Sequence, residues 1–134
     1  MSDWIHYPIT PVAKPRMTQS DKWKKRPPVM KYRAFCDEVR VRRVVLPEPC
    51  AHVVFHVPMP SSWSKKKKAE HRGNAHKDRP DVDNYTKALL DALYGDDSHV
   101  WDIRTIKIWS DRGGISVRAM DAFDMFSNPF STND

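Results

Sequence analysis

The chain lacks the features that mark secreted, membrane-spanning or P-loop proteins. Its only cysteines, Cys36 and Cys50, form no CxxC pair. A disulfide framework is therefore excluded, and the two thiols read as the reduced cysteines of a cytosolic protein. No apolar run approaches the length of a membrane span. The opening "MSDWIHYPIT" has no basic stretch followed by an apolar one, so no secretory signal is expected. There is no Gly-rich phosphate loop, because "DRGG" has neither the P-loop spacing nor its lysine. No serine or cysteine nucleophile stands with a base, and no internal repeat is visible. The length fits a single domain over residues 1–134. Its core is real but modest, so oligomerisation is expected.

What is present is positive charge. The formal net charge is +6, from 23 Lys and Arg against 17 Asp and Glu. The cations crowd the first eighty residues, whereas seven aspartates gather in "DRPDVDNYTKALLDALYGDDSHVWD", Asp78–Asp102. A basic surface attracts phosphate backbones over long range, and this distribution points to a nucleic-acid partner.

Local pattern predicts a mixed α/β (α+β) domain, one small sheet flanked by two main helices. "DWIHYPIT" reads as a first strand. A Pro- and cation-rich loop follows, in which Lys14 and Arg16 are candidate phosphate ligands and Lys22, Lys24, Lys25 and Arg26 are generic charge. Residues 29–45, "VMKYRAFCDEVRVRRVV", carry apolar residues at helical spacing. That helix has a basic outer face of Lys31, Arg33, Arg40 and Arg43, and "PEP" at 47–49 is expected to end it. "CAHVVFHVPM" alternates Ala51, Val53, Phe55 and Val57 against His52, Val54 and His56, as a strand with one apolar face does. Residues 61–80 are expected to form a long, basic, mobile loop with one short helical turn. In it Lys65, Lys66, Lys67 and Lys68 contact the DNA backbone, and Trp63 anchors the loop to the core. "DNYTKALLDALYG" is the clearest helix, capped by Asp83 or Asn84 and stopped by Gly95. "HVWDIRTIKIWS" and "GGISVRAM" read as a strand pair joined through "DRGG", and 121–134 as an irregular tail. His52, His56, His71 and His76 with Cys50 raise the question of zinc. Residues four apart on a strand lie about 13 Å from each other, too far for one ion, and no zinc site is expected.

The acidic stretch carries the chemistry. Residues two apart in extended chain project to one side, so Asp81 and Asp83 can aim at one spot. Their repulsion calls for a cation, and Mg2+ takes carboxylate and phosphate oxygens together. The adjoining helix start favours anions. Lys87, one turn above Asp83, can pair with it or meet a phosphate oxygen. Asp96 and Asp97 follow the helix, and a strand running back beside its start is expected to bring one of them to the same place. Each piece alone has a structural explanation: a capping Asp83, a Lys87 ion pair, and a "GDD" turn. Together, inside a basic chain, they point to metal-assisted chemistry on a phosphodiester.

"RPDVDNYTKALLDALYGDDSHVWD" resembles the central motif of the RusA family of Holliday-junction resolvases of phages and prophages. The shared features are a D-x-D-N-x-x-K-x-x-x-D-A-L helix, a following aspartate pair and a valine-bearing strand. Similarity extends more weakly to "AKPRMT" and to "FHVPMPSSWSKKKKAEHRGNAHKDRPD". The resemblance implies that Asp81, Asp83 and Asp97 hold Mg2+, with Mn2+ as a substitute, and that Lys87 lies near the scissile phosphate. It implies an outer contact for Asp102, a structural role for Asp91 and no settled role for Asp96. Pro80 departs from the pattern, where a basic residue adjoins the first aspartate, and Arg79 is the candidate for that phosphate contact. The implied protein is a cytoplasmic homodimer in a bacterial host, nicking four-way DNA junctions symmetrically. The alternatives are a nuclease for other branched or flap DNA and a non-catalytic DNA-binding module of a mobile element.

Overall fold

The most apolar segment takes the centre of the sheet. The computed structural model describes residues 3–16, 26–48 and 50–120. Strand β1 is Ile5–Tyr7, β2 Cys50–Pro58, β3 Ile103–Ser110 and β4 Gly114–Met120. Helix α1 is Pro27–Val41, α2 Lys65–His71 and α3 Val82–Leu93. The four strands lie in the order β1-β4-β2-β3. Strand β2 runs parallel to β3 and antiparallel to β4, and β1 is antiparallel to β4. A parallel pair needs a crossover, which α2 and α3 supply.

The alternation read in β2 sets the core. Val53 and Phe55 are fully buried, in register with Val117 and Ile115 of β4, and cluster with Phe35 and Val39 of α1 and with Tyr85, Ala88 and Leu89 of α3. The Phe55 and Tyr85 rings stack at 5.6 Å. Truncating Phe55 to alanine at such a site costs about 3–5 kcal/mol. Both main helices thus serve one face of the sheet. On the other face His6 Nδ1 and His56 Nε2 each lie 2.8 Å from Ser116 Oγ. His52 is buried there beneath Trp4, at 5.0 Å between ring centroids, and among the described residues neither of its ring nitrogens has a hydrogen-bond partner.

The expected single α/β domain of a small sheet and two main helices stands; several local expectations do not. Strands β3 and β4 form no hairpin, because β2 lies between them. A strand buried on both faces belongs at the centre, and that requirement outweighs the short connection between β3 and β4. The glycines of "DRGG" serve close approach instead: a Cβ on Gly113 would meet Thr10 at 2.3 Å, and one on Gly114 would meet His6 at the same distance.

Helix α1 starts at Pro27, where a missing N–H is harmless, and stops at Val41, well before Pro47. Its end is a Schellman turn: Arg43 N–H donates to the Arg40 carbonyl and Val44 N–H to that of Val39. Arg43 takes the left-handed position at φ 54°. Arg40 stays exposed on the outer face, as expected, and its Nε also donates to the Ala92 carbonyl near the end of α3.

The N-cap position of helix α3 is Asp81, two or three residues earlier than the expected Asp83 or Asn84. The basic connection 61–80 is tied to the protein rather than looped out. Ser64 Oγ caps α2 by accepting from Lys67 N–H at 3.1 Å. Gly73 N–H donates to the Trp109 carbonyl, Trp109 N–H to that of Asn74, and His76 N–H to that of Lys107, which covers the edge of β3. Lys22, Lys24, Lys25 and the tail 121–134 lie outside the described residues.

Candidate nucleic-acid and metal-binding site

The start of α3 gathers most of the implicated side chains. Asp81 has the extended backbone of an N-cap, φ −68° and ψ 151°, yet its carboxylate accepts no capping bond. A cap aspartate ordinarily bonds the N2 or N3 amide and stabilises its helix by about 1 kcal/mol. Asp81 forgoes that bond and keeps its oxygens available. Asp83 sits in the first turn, where the helix dipole favours negative charge. Lys87 Nζ lies 3.8 Å from Asp83 Oδ2, and both side chains are well exposed. An exposed pair of this kind contributes about 0–1 kcal/mol, so substrate can redirect Lys87 at little cost.

The Pro-rich segment after β1 docks against this helix start. Lys14 N–H donates to the Asn84 carbonyl at 3.0 Å. An open groove of about 310 Å³ results, lined by Lys14, Pro15, Arg16, Asn84 and Lys87. Three cations and an amide, the residue types that contact phosphates, thus share one groove one turn from Asp83. Lys14 also pairs with Asp91 at 2.5 Å, and Tyr32 OH donates to the same carboxylate oxygen at 3.2 Å. Asp91 thereby ties α1, α3 and the Lys14 segment together, which is a structural role. The first half of α3 is fastened to β3 as well: the Thr86 hydroxyl bonds the Val82 carbonyl at 2.8 Å and the Thr105 hydroxyl at 3.0 Å.

Asp97 does not join Asp81 and Asp83 within one protomer. It follows the C-terminal end of α3, a helix of 12 residues and hence about 18 Å long. Strand β3 begins at Ile103, paired with Ala51, and comes level with the start of α3 only at Thr105–Lys107. The strand does run back beside the helix start, but it brings a lysine there, not an acid. Among the described residues no three His, Cys, Asp or Glu side chains are grouped so as to hold one metal ion. Asp96 is engaged in a turn, where it accepts from Ser98 N–H at 2.9 Å. That bond holds its carboxyl below the usual carboxylate range. Asp102 lines a cavity of about 240 Å³ with Leu46, Tyr94, His99 and Trp101.

The donor set at the start of α3 fits Mg2+. Two carboxylates at an open site match an ion that keeps several waters and shares the rest of its shell with phosphate. The remaining candidates surround this centre or stand apart from it. Lys65, Lys66 and Lys67 are exposed on α2, and Lys68 is half-buried. Lys67 Nζ lies 4.3 Å from the Trp63 ring, which packs on Trp109 at 4.9 Å and on His71 at 4.8 Å, so Trp63 is an anchor. Arg79 is exposed two residues before Asp81, on the far side of Pro80, to which it is joined by a cis peptide.

Sequence reasoning passed over Lys107. Its Nζ donates to the carbonyls of Asp78 and Pro80, the latter at 2.6 Å. Burial draws its pKa below the ordinary lysine value, while Asp81 and Asp78 oppose that shift. The signal was a lysine at a position where its strand turns inward, in register with Phe55.

A sequence profile of the family described as Endodeoxyribonuclease RusA matches residues 8–120 of the chain. Among curated proteins, the uncharacterized protein YqaN of Bacillus subtilis (strain 168) is 43% identical over 73 residues, 48% of this chain and 51% of the relative. The chain thus spans about half the length of the curated relative it matches.

Proposed function

The chain belongs to the RusA family of endodeoxyribonucleases, and from that premise we propose that it is a Mg2+-dependent, structure-selective nuclease that resolves four-way DNA junctions in recombination and repair. The observation that carries this reading is the juxtaposition at the start of α3: uncapped Asp81 and first-turn Asp83 beside a groove of Lys14, Arg16 and Lys87. Asp81 and Asp83 would hold Mg2+, which when bound supplies a Lewis acid for the phosphate and an activated water. Lys14 and Arg16 position the strand by its phosphates. Lys87 leaves Asp83 for a phosphate oxygen and stabilises the charge that develops there. Arg79 and the α2 lysines extend the cationic path towards a second arm.

Asp97 can complete the metal shell only from a second copy, because its own protomer holds it at the far end of α3. That requirement and the two-fold symmetry of paired nicks both favour a homodimer. Among the described residues no helix is long and apolar enough to cross a membrane. Action on DNA would suit the cytoplasm of a bacterial host and a phage or prophage source.

The test is cleavage of synthetic four-way, three-way and linear DNA, with and without Mg2+, by the wild type and Asp83→Asn. Symmetric nicks confined to the four-way substrate are expected, abolished in Asp83→Asn while junction binding persists. Equal cutting of all three substrates would remove the junction preference and leave a general nuclease. Binding without any metal-dependent cleavage would leave a DNA-binding module.

A further inference from the structure

Residues 77–81 are all exposed, and Asp81 must be presented from this thin stretch. One residue of β3 grips it at both ends. The Lys107 carbonyl accepts from His76 N–H at 3.2 Å, and its ammonium takes the carbonyls of Asp78 and Pro80. These two carbonyls flank Arg79, and the next residue is Asp81. We infer that Lys107 is a positioning residue of the nuclease centre: by holding the backbone on both sides of Arg79 it fixes the direction in which Asp81 leaves the chain. The inference rests on the reading of Asp81 and Asp83 as the metal-holding carboxylates.

The chemistry is specific to a lysine at this point. Lys107 lies on the helix-facing side of β3 with Ile103, Thr105 and Trp109, where a charge needs compensation. Three ammonium donors meet two carbonyls, and the attraction of Asp81 supplies further compensation. A neutral side chain would leave those carbonyls without their donor and Asp81 without its nearby cation. Each carboxylate at the start of α3 then has its own lysine. Lys87 faces Asp83 through one loose, exposed ion pair and is free to move to substrate. Lys107 is held by two main-chain bonds and stays in place.

The test compares Lys107→Met and Lys107→Arg in the full chain. Without metal or DNA, hydrogen exchange is followed at the amides of Asn84 and Tyr85, which both donate to the Asp81 carbonyl. Lys107→Met should speed that exchange by about tenfold or more as the first turn of α3 loosens. At saturating Mg2+ its turnover should fall by about tenfold to a hundredfold, the scale of a misplaced reacting group. Junction affinity in Ca2+ should change by less than about twofold, because no phosphate contact is lost. Lys107→Arg, which keeps the charge and the donors, should recover most of the turnover. Wild-type exchange and turnover in Lys107→Met would overturn the inference. So would a joint loss of binding and turnover that arginine does not rescue, which would mean general damage to the fold. If the wild-type protein cuts no branched DNA, the nuclease reading fails by itself, and the exchange rates still decide whether Lys107 fixes the backbone at Asp81.

Discussion

The groove beside α3 makes a salt-dependence prediction that can be worked from its three cations. Each phosphate neutralised on duplex DNA contributes about −0.9 to the slope of log K against log salt. Lys14, Arg16 and Lys87 line one groove, so replacing all of them by glutamine should flatten the slope by at most about 2.7 per protomer. Between about 50 and 200 mM salt, that limit is a roughly 40-fold change in affinity that the triple variant no longer shows. The single variants should not be equal. Arg16 contributes its full share, about 0.9 in slope. Lys14 is already paired with Asp91 at 2.5 Å and should contribute less. Lys87→Gln should flatten the slope and also depress turnover on bound junction, which Arg16→Gln should not. The assay is fluorescence anisotropy of a labelled four-way junction in Ca2+, titrated with KCl. A triple variant that keeps the wild-type slope would refute the assignment of this groove to phosphate.

Three further outcomes follow from the structure. His52 buries both ring nitrogens without a partner among the described residues, and a buried unsatisfied polar group costs about 1–3 kcal/mol, so His52→Leu should raise unfolding free energy in urea by about that amount. Burial lowers the pKa of both His52 and His76 in the fold, so the unfolded chain binds protons first. Stability should be full above the unfolded value near pH 6.5 and fall as pH drops through it, by up to about 1.4 kcal/mol per pH unit for each histidine. His52→Leu should remove one share of that acid sensitivity, and unfolding curves between pH 7 and 5 measure it. Arg43 holds a left-handed backbone at φ 54°; Arg43→Gly removes a strain of about 1–2 kcal/mol and adds roughly 0.5–1 of chain entropy, for a small net gain in Tm.

Legibility in the sequence followed the range of the interaction. The alternation of β2 and the stripe of α3 were plain because each is a local period. The pairing of β3 with β4 was misread because "DRGG" looks like a hairpin turn, whereas the requirement that seats β2 between them lies fifty residues upstream of that turn. The end of α1 was misplaced at proline because an arginine in the left-handed position gives no compositional sign. At the site, Asp81, Asp83 and Lys87 were legible through their spacing on one short segment. Lys14 and Arg16 were legible only as charge, and their union with Lys87 needed the main-chain bond from Lys14 to Asn84. The expected approach of Asp97 failed because it depends on which end of a strand meets which end of a helix. Lys107 was missed for the same reason: a lone lysine in a strand gives no hint of the carbonyls it will meet.

The central seat of β2 has a consequence for how the molecule forms. Its two neighbours, β3 and β4, begin only at Ile103 and Gly114, more than fifty residues after β2 starts. Until both have been synthesised, an apolar strand leaves the ribosome with its ladder groups unpaired on either side. Contacts of such long range slow folding and prolong the exposure of bare strand. During that interval the polylysine helix between β2 and α3 would help to keep the nascent chain soluble.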